Sequence, residues 1–300
     1  MAMKTHAQQV SKSDFRHRLA ITNHECRSYT RQMTVSLGTV ECHNRSNLRL
    51  EISNCDLKRG TAAERGCCAM LYLFEVPGIR EQETLYACWQ PLLSGFRAEK
   101  AERYRFPKDR FLCAAAFVLL RYALYQEHDW TAMPEIIQQG TEKPVLRNGS
   151  SCFNLSHCGS AVLCGTDSGN IGADVQDYSE NVSVIRSKFV SARENEAYET
   201  VSELTRLWTL KEAFGKYSGA GLCYDLLATD FSRIHSSSAP QRFQKLHLYS
   251  EARAQYALSC FAENPIKLKA VASANLLQWQ TACGTQLELR NDAQKGEALK

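Results

Sequence analysis

The chain has 300 residues, 44% of them hydrophobic, with 36 Lys and Arg against 32 Asp and Glu for a formal net charge of +4. That length holds one large or two medium domains with a real core, and so mild a charge is weak evidence for any polyanionic partner. The excess is concentrated in residues 1–69, which carry 11 Lys and Arg against 6 Asp and Glu, a net of +5. The 13 cysteines do not read as a secreted disulfide framework: the residues after Met1 are polar, and no paired C-x-x-C spacing occurs. Reduced, mostly buried thiols in a cytoplasmic protein are expected. The longest apolar run, Phe111 to Leu120, is too short for the ~20 residues that span a bilayer, so no membrane partner is expected.

Residues 1–69 show little periodicity beyond Leu48, Leu50 and Ile52 and predict a disordered extension. A strand signal begins at Met70. Arg97, Lys100, Arg103, Arg105, Lys108 and Arg110 form a basic run. Alone, such a run is most often a solvated helix face. Pro107 and Asp109 suit a helix start, and the alanines that follow favour helix. A Gly-Thr-Glu-Lys-Pro turn is predicted at 140–144. Strands are predicted at 152–156 and 160–166, then Asp167-Ser-Gly-Asn as a turn, then a strand at 171–176. The second and third of these are expected to pair as a hairpin. Along 171–176, alternation sets Ile171, Ala173 and Val175 on one face and Gly172, Asp174 and Gln176 on the other.

Ser191 and Glu194 form a capping-box pattern ahead of one helix, and a second helix is predicted over 203–218. Its apolar stripe, Leu207, Leu210, Phe214 and Tyr217, leaves Glu212 and Lys216 projecting from another side, four residues apart. Gly219 and Gly221 are expected stops. A late strand is predicted at 256–262, and the chain beyond about 270 reads as a polar tail. A carboxylate on a strand, with a carboxylate and an ammonium on a helix, is a combination able to hold a divalent cation and a phosphate chain. Each piece alone is ordinary: Asp174 as a cap, Glu212 and Lys216 as a surface pair, His157 as a satisfied loop histidine.

Five segments occur in one order: Glu-Lys-Pro at 142–144, Phe-Asn-Leu-Ser-His at 153–157, Gly-Ala-Asp-Val-Gln at 172–176, Trp-Thr-Leu-Lys-Glu-Ala-Phe-Gly-Lys at 208–216, and Gly-Ala-Gly-Leu at 219–222. Arg-Phe-Pro-Lys-Asp-Arg at 105–110 precedes them. Together they resemble the 4′-phosphopantetheinyl transferases of the surfactin-synthetase-activating type, over about 70–270. The resemblance implies an α+β fold of two pseudo-twofold-related α/β subdomains, here 70–171 and 172–270, with the extension 1–69 and a tail at 271–300. It implies transfer of 4′-phosphopantetheine from coenzyme A to a serine of an acyl or peptidyl carrier protein, with Mg2+ in the cleft, by a monomer and with no nucleic-acid partner.

Carried over by position, the resemblance assigns Asp174, Gln176 and Glu212 to the metal. Glu212 also becomes the acceptor of the serine proton. It assigns Lys211, Lys216 and His157 to phosphate oxygens, Ser156 to the nucleotide region, Lys143 to the adenine or phosphate end, and Arg97 and Lys100 to the 3′-phosphate. Two positions depart from the family. Gln176 stands where a carboxylate is common, and Leu112 stands where an arginine is expected, with Arg110 nearby. Gln176 motivates one alternative, a catalytically silent relative that binds carrier proteins. The basic N-terminal region motivates another, a nucleic-acid-binding module, against which stands the lack of aromatics interleaved in a basic stripe.

Overall fold

A computed structural model describes residues 68–138, 143–147, 149, 151–220 and 225–283. The expected 1–69 extension lies outside these residues except for its last two positions, as do most of the 140–144 turn and Gly221.

Strand β1 (Ala69–Glu75) is followed by helices α1 (Ile79–Trp89), α2 (Gly95–Glu102) and α3 (Pro107–His128). Pro107 lies in the first turn of α3, where a missing N–H is harmless. Then come the short β2 (Ile136–Ile137) and β3 (Val145–Leu146), followed by β4 (Cys152–His157), β5 (Ala161–Asp167), β6 (Ile171–Asp177) and a short helix α4 (Asn181–Val184). Helix α5 (Val201–Ser218) leads to β7 (Ser237–Phe243), β8 (Leu246–Ala252), β9 (Tyr256–Ala262) and β10 (Ile266–Ala270). A last helix, α6, occupies residues 273–283.

Two four-stranded sheets result, in the orders β10-β1-β5-β4 and β6-β9-β8-β7. Period-2 patterning stacks them. In β1 and β5, Tyr72, Phe74, Val162 and Cys164 pack against the helices, while Leu71, Leu73, Ala161 and Leu163 face the second sheet. There they meet Ile171, Ala173, Val175, Leu258 and Cys260. The other face of the second sheet receives α5, with rings of Phe214, Phe231, Phe243 and Phe261 in mutual contact. Each sheet thus carries one long helix on its outer face, the α+β arrangement expected. Cys113, Cys158, Cys164, Cys260 and Cys283 are buried free thiols.

Four expectations are corrected. Strands β5 and β6 are not a hairpin: β5 pairs with β1 and β4, and β6 pairs with β9, so the Asp167–Asn170 turn carries the chain between sheets. The boundary at 270 also fails, because β10 leaves the second half and pairs in parallel with β1, Ala69 opposite Ile266. The start of the 271–300 tail is likewise not a tail: Val271, Leu276, Trp279 and Cys283 are buried in the core around α3. Finally, the Ser191–Glu194 pattern caps turns rather than a helix. Glu194 still accepts from Ser191 N at 2.8 Å, but the complete capping box is Thr200–Glu203 at the start of α5. Gly219 ends that helix in the left-handed region at φ 76°, where glycine is favoured.

Among the described glycines, Gly172 permits the closest approach. A Cβ there would lie 2.2 Å from both the Ala213 carbonyl oxygen and the Tyr217 amide nitrogen of α5. Both are backbone atoms, so the clash is relieved only by moving the helix. Gly172→Ala is expected to destabilise by about 3 kcal/mol, the upper range for overpacking, a fall in melting temperature of roughly 6–12 °C. Calorimetry checks this; an unchanged melting temperature would mean that α5 does not sit against β6 as described.

Candidate active site

The site forms where the edge strands β4 and β6 meet. An edge strand presents unpaired N–H groups, and β4 side chains take those of β6. Asn154 Oδ1 accepts from Ala173 N at 2.9 Å, and Ser156 Oγ accepts from Val175 N at 3.3 Å. Asp177 closes the end of the seam, accepting from Gly159 N at 2.6 Å and Ser160 N at 3.1 Å. Two sheets that share no ladder are thereby joined through side chains. Asn154 and Asp177 were not singled out from sequence; the signal available was the alternation of Asn154 with Ser156 on a strand running beside 173–175.

Asp174 lies on this seam, only 1% exposed. Its Oδ1 accepts from Ser156 Oγ at 2.7 Å and from Lys216 Nζ at 2.6 Å, and its Oδ2 accepts from Gln176 Nε2 at 3.2 Å. Lys216 Nζ also reaches Ala173 O at 3.3 Å and Ser156 Oγ at 3.4 Å. Because Lys216 is one turn beyond Glu212 on α5, both face β6. Burial, then the charge of Asp174, pushes the Glu212 carboxyl up to about 7, against the opposing pull of Lys216. Glu212 Oε1 is buried and has no hydrogen-bond partner among the described residues.

His157 follows Ser156 on β4. Burial, then Lys216 and Lys100, and more weakly Arg97, hold its imidazole down to about 4, with Asp174 opposing. The histidine is therefore neutral at pH 7, one ring nitrogen an N–H donor. The same field ties Arg97 and Lys100 of α2 to the seam. Arg97 also stacks over Phe117 at 5.5 Å, and burial with Arg97 beside it lowers the Lys100 ammonium. Asp174, Gln176, Glu212, Lys216, Ser156, His157, Arg97 and Lys100 are thus brought together.

Three assignments separate from this group. Lys211 projects to the other side of α5, fully buried. Its Nζ lies 2.8 Å from Glu194 Oε1 and donates to Thr229 O at 2.6 Å, so it does not face the cluster around Asp174. Lys143 donates to Ile171 O, at the opposite end of β6 from Gln176. Arg110 donates from Nε to Tyr104 O at 2.8 Å, and Leu112 is buried.

A buried carboxylate, Asp174, beside the half-buried Glu212, whose buried Oε1 is orphaned among the described residues, suits a hard cation. Among the described residues no group of three or more His, Cys, Asp or Glu forms a metal site. A magnesium ion held by Asp174 and Glu212 would draw its remaining oxygens from water and substrate phosphate, its usual manner of binding. No helix among the described residues is long and apolar enough to cross a membrane.

Residues 170–267, which contain α5 and the whole of the second sheet, match the family model of the 4′-phosphopantetheinyl transferase superfamily. The chain is 33% identical over 148 residues to 4′-phosphopantetheinyl transferase psf-1 of Bacillus pumilus, covering 46% of this chain and 62% of that protein. It is 27% identical over 142 residues to 4′-phosphopantetheinyl transferase Sfp of Bacillus subtilis, covering 45% and 63%. The chain therefore spans about three-fifths of the length of the curated relatives it matches. The motifs and these matches agree on one likeness, to the Sfp-like transferases.

Proposed function

We propose that this protein transfers the 4′-phosphopantetheine arm of coenzyme A to a serine of an acyl or peptidyl carrier protein, with magnesium as cofactor, as a cytoplasmic monomer. The observation that carries the reading is the meeting of Asp174, Glu212 and Lys216 at the β4–β6 seam inside the segment that matches the family. Asp174 and Glu212 would hold the magnesium; bound there, it would screen the pyrophosphate and stabilise the charge that develops on the departing 5′-phosphate as the bridging P–O bond breaks and the serine oxygen bonds to the other phosphorus.

The chain's own groups do the rest. Lys216 neutralises a phosphate oxygen, and the neutral His157 donates an N–H to another. Arg97 and Lys100 offer two further cations for the 3′-phosphate. Glu212, poised near neutral pH, accepts the proton of the carrier serine, directly or through water. Adenosine 3′,5′-bisphosphate leaves. Both halves of the site come from one chain, so one copy suffices.

The test combines purified protein, coenzyme A, magnesium and apo carrier proteins, and reads the carrier's mass. Gain of the prosthetic arm, dependent on both additions, is expected. A carrier that binds yet stays unmodified would instead mark a catalytically silent relative.

Gln176 tunes the cation. Its amide N–H meets Asp174, where a carboxylate would repel it. Gln176→Glu adds a third negative charge, and a carboxylate binds magnesium more tightly than an amide oxygen. The expected result is activity retained or raised at low magnesium, with a lower half-saturating concentration in a magnesium titration of the transfer rate. A higher half-saturating concentration would place residue 176 outside the metal's reach.

A further inference from the structure

No hydrogen bond aims Glu212 Oε1, which is buried without a partner among the described residues. Its direction must come from the helix that carries it. Helix α5 can slide along β6 or roll about its axis. Sliding is blocked at Gly172, where the backbones of Ala213 and Tyr217 lie against the strand. Roll needs a different anchor, and Lys211 supplies one.

Lys211 and Glu194 are both fully buried. Glu194 Oε1 accepts from Phe231 N at 2.8 Å, while its Oε2 accepts from Ser191 N at 2.8 Å and from Lys211 Nζ at 3.0 Å. The ammonium adds its bond to Thr229 O at 2.6 Å. One ion pair, with all its bonds made, thus clamps the 191–194 turn, α5 and the 229–231 segment together. Successive helical residues differ by about 100° in direction, so fixing residue 211 fixes where residue 212 points.

We propose that the Lys211–Glu194 pair is a positioning device that sets the roll of α5 and so aims Glu212 at Asp174; this rests on the transferase reading of Glu212 above. Lys211 is then a positioning residue that never meets the substrate. A misplacement of about 1 Å can cost as much as 10²-fold in rate, so a loosened anchor shows in turnover rather than in coenzyme A binding.

Three full-length proteins are compared: the native chain, Glu194→Asp, which keeps both charges but withdraws the carboxylate by one methylene, and the double variant Glu194→Met with Lys211→Met, which removes both charges and leaves none buried alone. The variants are expected to keep the native circular dichroism. Their kcat should fall about 10- to 100-fold with KM for coenzyme A unchanged, and magnesium titrated calorimetrically should bind at least about 10-fold more weakly. A raised KM for coenzyme A with unchanged magnesium affinity would overturn the proposal, because Lys211 would then be a phosphate ligand. Native kcat and native magnesium affinity in a variant of lowered melting temperature would also overturn it, leaving the pair a purely structural tie. If the double variant does not fold, Glu194→Asp decides alone. If the native chain modifies no carrier, the transferase reading fails, and the magnesium affinities still decide the positioning claim.

Discussion

Glu212→Gln is expected to lower kcat/KM for carrier modification by about 10³-fold or more. A general base contributes ~10²–10⁴-fold, and this substitution also removes a negative charge from the proposed cation site. The amide is isosteric, so the fold should persist, and with it the coenzyme A binding proposed for Arg97, Lys100 and Lys216. A variant that modified carriers at the native rate would remove Glu212 from the chemistry.

The same variant has a pH signature. The Glu212 carboxyl goes from an ordinary 4.5 to about 7 on folding, so between those values the folded protein holds a proton that the unfolded chain has lost. Its contribution to stability is full below pH 4.5 and is lost as pH rises through 7, by about 3 kcal/mol at 1.36 kcal/mol per unit. His157 has the opposite slope: its value falls from 6.5 to about 4, so stability is lost as pH drops through that window. In the native protein the two slopes largely offset each other. Glu212→Gln removes one of them, and its melting temperature in EDTA should therefore fall more steeply on acidification from pH 6.5 to 4.5 than that of the native chain. Parallel curves would show that Glu212 is not a buried ionisable group.

Lys216→Met should have the second large effect. Asp174 is 1% exposed and has Lys216 as its cationic partner at 2.6 Å. Without the ammonium, two facing carboxylates share a buried seam uncompensated. Breaking a buried pair costs about 3–5 kcal/mol. Because Lys216 keeps a quarter of its side chain in solvent, the lower end is expected. The loss should be partly reversed by magnesium, since an ion that binds only the folded state stabilises it by mass action. Thermal unfolding with and without magnesium checks this: the ion should raise the melting temperature more in Lys216→Met than in the native chain. No added response would mean that Asp174 and Glu212 do not bind a common ion. Transfer by the variant should be strongly impaired if, as proposed, Lys216 is the counter-charge of a phosphate oxygen.

The centre of the site was legible in sequence because two short periodicities define it. Alternation along β6 turned Asp174 away from the inter-sheet core, and a four-residue step on α5 put Glu212 and Lys216 together. Both are local rules, and local rules set local directions. Lys211 shows where they stop. It sits beside Glu212 in the chain, but one helical step of about 100° turns it to a different face, toward Glu194, a partner 17 residues away that no spacing rule reveals. The strand pairing failed for the same reason. A turn signal at 167–170 says that the chain reverses, not that the two strands beside it bond; β6 instead takes β9 as its partner, Ile171 opposite Ala262. The return of β10 to β1 is likewise a long-range event. Helix α6 was different, because Leu276, Trp279 and Cys283 stand at i, i+3 and i+7, an amphipathic stripe hidden among polar neighbours.

The shared-ion claim is tested most directly by titrating magnesium calorimetrically into the metal-stripped full-length chain saturated with coenzyme A, in four forms: native, Asp174→Asn, Glu212→Gln and the double variant. One site is predicted in the native protein, weakened at least about 10-fold by either single change, with the two effects non-additive in the double variant, as expected of groups on a single ion. Native magnesium affinity in either single variant would contradict the account.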